Sequence, residues 1–221
     1  MAAKYRTMIA TGYIDKENKD YYNCYLIADK NGVYGSVTKS EGESAIFKRG
    51  NFSSIIPTPF GNVAVAICYD SKRKHFYDNI KNERIALILF PHGSPADPKA
   101  PEKEQEYNDM FCEKYEKAFR VPVVYVNSVG KLEYMKGKMG ALMRKKGFTM
   151  NGMTKIYCES GTSLICTINE AVGCDLTLSP QSLQKEISFF GNDLIKGNWF
   201  FRRFILRSDV KLGLKIYSKN R

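Results

Sequence analysis

Cys68 stands at the junction between an apolar run and a polar turn. The run 63–67 precedes it, and Tyr69, Asp70 and a basic stretch at 71–74 follow it. A sharp turn after a buried strand is where α/β proteins present nucleophiles, because the strand holds the side chain rigidly at the edge of a cleft. A thiolate in that position could attack an electrophilic carbon. The alternative is a buried structural thiol that packs as a small hydrophobic side chain.

A cysteine nucleophile needs a lowered pKa or a nearby base. The chain has two histidines, His75 on a predicted helix and His92 after the apolar run 85–90. His92 could reach a site at the strand ends and form a Cys–His dyad, which depends on geometry rather than on distance in the sequence.

Lys39 offers a second way to activate the thiol. It ends a predicted strand and opens a loop that contains Glu41 and Glu43. An ammonium group beside a thiol lowers the pKa of the thiol and can stabilise an oxyanion, and a buried glutamate can serve as a general base. The alternative is a solvated surface turn, which charge runs of this kind usually form.

The composition is typical of a globular protein. The chain has 221 residues, of which 43% are hydrophobic and 26% charged, so it can bury a sizeable core. No apolar run reaches the length of a membrane helix, and the N-terminus lacks the apolar core of a signal peptide. Six cysteines without a C-x-x-C pair, with only two histidines, predict no metal site and reduced thiols in the cytoplasm.

The net charge of +11 raises a competing hypothesis, because basic proteins often bind nucleic acid. No nucleic-acid recognition motif accompanies the charge, and the densest clusters are short, at 72–74, 144–146 and 202–203. A solvated basic face is therefore favoured over a specific nucleic-acid partner.

The chemistry-bearing residues fall among alternating short strands and two helices. Strands are predicted at 5–14, 21–28, 33–37, 55–59, 63–68, 85–90, 121–126, 155–158, 163–169 and 211–217, and helices at 72–83 and 104–120. Residues 131–150 are predicted to be mostly loop. Both helices join buried strands, which favours helices on one face of a mixed sheet and a second sheet against the other face.

Several motifs occur in a characteristic order. They are Tyr22-Asn23 with 25–27, Asn31-Gly32, 35–39, 43–50, 58–61 with 63–70, 87–91, 124–127 with Gly130, 152–156 and 159–161. In this order the sequence resembles the nitrilase superfamily of carbon–nitrogen hydrolases. The resemblance covers residues 8–178 of a single predicted domain, 1–221, whose tail at 179–221 is only loosely similar.

The resemblance implies a fold and a mechanism. The fold is a four-layer α-β-β-α sandwich of the α/β class. The reaction is hydrolysis of a small amide, carbamoyl compound or nitrile through a thioester or thioimidate on Cys68, without a cofactor. Lys39 and the backbone N–H of Tyr69 would hold the oxyanion, and Glu43 would be the second carboxylate that positions the substrate.

One part of the family pattern has no counterpart in the sequence. The general-base glutamate of the family lies on an earlier strand and loop, but only 38 residues precede Lys39, and the acids Asp15, Glu17 and Asp20 fall in a predicted turn. We therefore expect an N-terminally truncated fold. Three explanations stay open: a fragment of a full enzyme, an inactive paralogue that at most binds a partner subunit, or transfer of the base role to Glu43.

The tail contains an apolar and basic segment at 199–204. Tails often mediate dimer contacts in the family, and an exposed aromatic patch usually marks a contact surface. The segment is therefore either an interface in a homo-oligomer or a cap on the core.

Overall fold

The computed structural model describes residues 1–40, 47–131, 137–159, 165–166, 173–187, 203–204 and 207–219. The strands are β1 Ile9–Glu17, β2 Asp20–Asp29, β3 Gly32–Thr38, β4 Ile55–Thr58, β5 Gly61–Val65, β6 Ile85–His92, β7 Val123–Asn127, β8 Val129–Lys131, β9 Thr149–Asn151, β10 Thr154–Tyr157 and β11 Ile165–Cys166. The α-helices are α1 Ala2–Tyr5, α2 Lys74–Ile80, α3 Pro101–Phe119, α4 Gly137–Lys146 and α5 Arg207–Lys219, and a 3₁₀ helix covers Cys68–Lys72. In these described parts, no helix combines the length and apolar content that spanning a membrane requires.

The first sheet is an antiparallel meander of β1, β2 and β3. Tight turns join its strands: Asn18 has a φ of 55° and Gly32 a φ of 140°, and Asn and Gly are the residues that tolerate such backbone angles. The backbone N–H of Lys39 donates to Asn23 O at 2.8 Å and extends the pairing by one residue. The sheet therefore holds the backbone of Lys39 in place.

The second sheet has six strands in the order β11-β10-β7-β6-β5-β4. Its centre is parallel, with β5 paired to β6 and β6 to β7. The 3₁₀ helix and α2 connect β5 to β6, and α3 connects β6 to β7, as parallel strands require crossover connections. The carboxyl ends of three neighbouring strands consequently lie along the same edge.

One hydrophobic core lies between the helices and the six-stranded sheet. Its centre is an aromatic cluster in which the rings of Phe76, Phe90 and Tyr115 lie 5.4 to 5.6 Å apart and meet edge to face. Ile80 and Phe119 complete the contact from α2 and α3. Each fully buried side chain of this size contributes on the order of 2 kcal/mol.

A second core lies between the two sheets. Ile27 and Val37 of the first sheet pack with Ile56, Val63 and Val65 of the second. The described residues thus form a helical layer, a six-stranded sheet and a three-stranded sheet, and β8 and β9 pair separately as an antiparallel two-stranded sheet. The expected packing of sheet against sheet is present, with helices on the far face of the larger sheet.

Two of the predicted elements are wrong. The predicted loop at 131–150 contains α4, and the predicted strand at 211–217 is part of α5. The alternation of apolar residues at 210, 212, 214 and 216 suggested a strand, but residues 210, 214 and 217 also have helical spacing. Packing of α5 against α4 selects the helix. Most of the predicted strand at 163–169 lies outside the described residues, as does most of the 199–204 segment.

The contact between α4 and α5 depends on a carboxylate. Asp209 accepts hydrogen bonds from the backbone N–H groups of Lys138 at 2.7 Å and Met139 at 2.8 Å. These groups belong to the first turn of α4 and have no acceptor within the helix. Gly137 has a φ of +94°, and a Cβ there would lie 2.6 Å from the Asp209 carboxylate. Asp209 therefore caps a helix that is distant in sequence, and Gly137 leaves space for it.

Substitution Asp209→Ala tests this cap. We expect the first turn of α4 to lose about 1 kcal/mol of local stability, which corresponds to roughly five-fold faster amide exchange at Lys138 and Met139. Hydrogen exchange measured by mass spectrometry would detect the change. Lys211→Ala, on the exposed face of α5, is the control and should leave these amides unchanged; equal exchange in both variants would argue against the cap.

Candidate active site

The strand ends of the parallel sheet form one wall of a cavity of about 570 Å³. The cavity is lined by Cys68 after β5, His92 at the end of β6 and Asn127 at the end of β7. Lys39 and Asn23 line it from the first sheet. Ligand sites of α/β proteins commonly lie at the carboxyl ends of parallel strands. The structure therefore brings together two of the predicted site residues, Cys68 and Lys39.

Cys68 adopts an unusual backbone conformation. Ile67 is extended, with φ −80° and ψ 107°, and Cys68 follows with a φ of 52°. A left-handed conformation costs a non-glycine residue about 1–2 kcal/mol, and such strain concentrates at functional sites. The thiol is partly exposed, whereas Cys24 and Cys112 are only 2% and 1% exposed. The strand-end turn predicted from the sequence is present, and Cys68 differs from the buried cysteines of the core.

Lys39 is buried rather than solvated, since its exposed fraction is 5%. Its ammonium group donates a hydrogen bond to Ile67 O at 2.6 Å, the carbonyl of the residue before Cys68. Gly50 N–H donates to Lys39 O at 2.9 Å, and a Cβ at Gly50 would lie 2.5 Å from Thr38 O. Glycine is therefore required where this loop returns to the strand, and the interpretation of Lys39 as part of a solvated turn is wrong.

Asp70 connects the two segments that carry Lys39 and Cys68. Its carboxylate accepts a hydrogen bond from Ser40 N–H at 2.8 Å, and its exposed fraction is 5%. A buried carboxylate needs such a partner. Sequence reasoning used Asp70 only as part of a motif and missed this positioning role. The sequence feature that could have indicated this role is the position of Asp70 two residues after the cysteine, in the same turn.

Tyr69 is the second residue of the 3₁₀ helix that begins at Cys68. Backbone N–H groups in a first helical turn lack an intrahelical acceptor, which suits them to bind an anion. The Tyr69 ring lies beneath the guanidinium of Arg73, 5.3 Å from its centroid. Glu43, the other predicted site residue, lies outside the described residues, as does Glu41. Among the described residues that line the cavity, none is a carboxylate.

The two histidines have different environments. His75 packs edge-on against the ring of Phe52 at 4.9 Å and is not one of the described residues that line the cavity. His92 lines the cavity, and its Nδ1 lies 3.0 Å from Phe90 O. Since a carbonyl can only accept, Nδ1 carries the proton.

Burial lowers the pKa of His92 to about 3, with smaller contributions from the positive charges of Lys72 and Lys39. The imidazole is therefore neutral at neutral pH. A base of such low pKa removes a proton from a thiol poorly, which argues against a Cys–His dyad.

A second cavity, of about 590 Å³, lies between the end of α3 and β10. Glu113, Glu116, Lys155 and Cys158 are part of its lining. None of the predicted site residues lines it. The strand-end cavity is therefore the candidate active site.

The low pKa of His92 predicts a specific dependence of stability on pH. The stability contributed by the neutral ring is complete above the unfolded-state pKa of about 6.5 and decreases as the pH falls toward 3. When the pH falls from 7 to 5, we expect the free energy of unfolding of the unsubstituted protein to decrease by about 2 kcal/mol more than that of the His92→Gln variant. Urea unfolding at each pH would measure this difference. His75→Gln, the control, should follow the unsubstituted protein, and parallel curves for all three would contradict the assignment.

The fold and the cavity define an α/β sandwich protein with a partly exposed thiol at the end of a parallel strand. Residues 1–167 match the family model for carbon-nitrogen hydrolases. This match extends over most of the chain, and the chain belongs to the carbon–nitrogen hydrolase family. The resemblance found in the sequence motifs is thereby confirmed.

A solved structure has the same fold. The carbon-nitrogen hydrolase from Helicobacter pylori G27 superposes with a TM-score of 0.65 at 16% identity, over 77% of this chain and 61% of that chain. This similarity confirms the predicted α/β fold of the carbon–nitrogen hydrolase type.

Two relatives match shorter segments. "Probable nitrilase C965.09" of Schizosaccharomyces pombe is 36% identical over 78 residues, which cover 32% of this chain and 29% of that protein. Deaminated glutathione amidase of Dictyostelium discoideum is 28% identical over 92 residues, which cover 35% of this chain and 32% of that protein. The matched segments thus span about a third of each relative.

Proposed function

We propose that this chain hydrolyses the carbon–nitrogen bond of a small amide or nitrile, with Cys68 as nucleophile. The observation that carries the proposal is the 2.6 Å hydrogen bond from the Lys39 ammonium to Ile67 O, which fixes a buried positive charge beside the strained turn at Cys68. A neighbouring cation favours the thiolate. Membership of the family and the names of the two relatives, a nitrilase and an amidase, support the reaction class.

The proposed chemistry has two stages. The Cys68 thiolate attacks the carbonyl carbon of an amide, and the π electrons move to the oxygen, where Lys39 and the Tyr69 N–H stabilise the negative charge. The intermediate collapses to a thioester as the amine leaves with a proton. Water then attacks the thioester, releasing a carboxylic acid and restoring the thiol. With a nitrile, the first adduct is a thioimidate.

Both stages require a group that transfers protons. The described cavity lining offers no efficient one, because the imidazole of His92 is held neutral with a low pKa and none of these lining residues is a carboxylate. Glu43 is the carboxylate that the sequence motif offers for this role, and without its participation the second stage should be slow. A thiol nucleophile must also stay reduced, which agrees with a cytoplasmic location. Until the proton carrier is tested, a non-catalytic role as a partner subunit is the competing proposal.

The reactivity of Cys68 tests the first stage. With limiting iodoacetamide and peptide mapping, Cys68 should be alkylated faster than Cys158, which has a similar partial exposure, because Lys39 stabilises the thiolate. Burial raises the pKa of Cys24 and of Cys112, so both should react more slowly still. In Lys39→Met, the rate at Cys68 should fall roughly three-fold for each unit by which its pKa rises, because the thiolate becomes rarer but also more nucleophilic.

The rate at Cys158 in the same Lys39→Met sample is the control, since general loosening of the fold would accelerate it. Equal rates at Cys68 and Cys158 in the unsubstituted protein would show that the nucleophile is wrongly assigned.

Turnover of an activated ester tests the second stage. We expect p-nitrophenyl acetate to give a burst and an acetyl adduct on Cys68 that persists, because the activated leaving group needs little acid assistance whereas deacylation needs a base. Absence of a general base typically slows a step by about 10²–10⁴-fold. Intact mass measurements over time would follow the adduct, and Cys68→Ala should abolish it.

Rapid steady turnover that is lost in Glu43→Gln and retained in Glu41→Gln would contradict slow deacylation and identify Glu43 as the base. Absence of any adduct on Cys68 would instead favour the non-catalytic role.

A further inference from the structure

His92 presents a hydrogen-bond acceptor that the residues described in the structure satisfy poorly. Its Nδ1–H donates to Phe90 O, so Nε2 carries the lone pair. Among the described residues, the donor atom nearest to Nε2 is Ser71 Oγ, at 3.4 Å. The Ser71 hydroxyl has one proton, and it donates that proton to Cys68 O at 2.7 Å. His92 lines the cavity with a ring that is 9% exposed, and its Nε2 lone pair receives no proton from Ser71.

The other buried polar side chains of the described cavity lining differ from His92. Lys39 has only donors. The acceptor of Asn127 is already used: its oxygen accepts from Ser94 N–H at 2.8 Å and Ser128 N–H at 3.0 Å, and its amino group donates to Ser94 O at 3.1 Å. The cavity thus offers a cationic donor on Lys39 and a neutral acceptor on His92.

This pair is complementary to a carboxamide. A carboxamide has a carbonyl oxygen that accepts and an NH₂ group that donates, whereas a nitrile has an acceptor and no donor. We infer that the site prefers primary carboxamides to nitriles, with Lys39 binding the oxygen and His92 Nε2 accepting from the amide N–H. This inference rests on the proposed function and makes His92 the residue that determines specificity.

The physical reason for selectivity is the cost of an unpaired buried acceptor. A nitrile has no N–H group to offer Nε2, and a site built to bind an N–H group discriminates strongly against an analogue that lacks it. The low pKa of His92 supports the same role, because the lone pair stays unprotonated.

Two small alkylating agents measure this preference without requiring turnover. 2-Chloroacetamide and chloroacetonitrile each transfer their carbon to the Cys68 thiolate as a C–S bond forms, the C–Cl bond breaks and chloride leaves. The first reagent carries a carboxamide group where the second carries a nitrile group. The ratio of their rates at Cys68, divided by the same ratio for glutathione, isolates recognition by the protein from intrinsic reactivity.

We expect a normalised ratio of about ten or more in favour of the amide. His92→Phe, which keeps a ring and removes the acceptor, should bring the ratio close to one. His92→Gln, which restores an acceptor oxygen, should recover part of the preference. The ratio at Cys158 should stay constant in every variant and reports any general change of the fold.

The outcomes separate the two proposals. If neither reagent modifies Cys68 faster than Cys158, the proposed function fails. If Cys68 is the faster site but its normalised ratio is near one, or is unaffected by His92→Phe, the preference for carboxamides is overturned while the nucleophile stands.

Discussion

A hydrogen bond between the two sheets organises the site. The Lys39 ammonium extends from the end of the first sheet to the carbonyl of Ile67, which follows β5 of the second sheet, and the lysine is buried. A buried charge is tolerated only when hydrogen bonds replace its hydration. The bond between Ser40 and Asp70 runs parallel to this contact and joins the same two segments. The position of the cation relative to the thiol is thus set by the distance between the sheets.

That distance is set by the hydrophobic cores. Aliphatic side chains between the sheets fix how closely they approach, and the aromatic cluster beneath the larger sheet holds α2 and α3 against its other face. The parallel strands then bring Cys68 and His92 to one edge. The two basic groups at this edge have different roles. Lys39 donates a hydrogen bond across the sheets, whereas burial keeps the imidazole of His92 neutral, so that Nε2 is an acceptor.

The sequence predicted the features that depend on local pattern. Apolar runs in the sequence predicted the positions of β5, β6 and β7. The cysteine that follows one of these runs and the lysine that follows a hairpin were predicted to be site residues, and both line the cavity. The unpredicted features depend on tertiary contacts. Asp70 gained its role from a partner thirty residues away, α5 was selected by packing against α4, and the tautomer of His92 was set by a carbonyl of its own strand. Glu43 stays a prediction.

The division of the site between two sheets has a consequence for folding. The first sheet is a meander of neighbouring strands and can form from local contacts, which assemble quickly. The bond from Lys39 to Ile67 O crosses 28 residues and requires that the parallel sheet is already in place. In the proposed function, a polypeptide that has formed its hairpins but not yet docked its sheets would therefore carry a cysteine that Lys39 does not activate. The chemistry of this one sulfur atom would mark the last step of assembly.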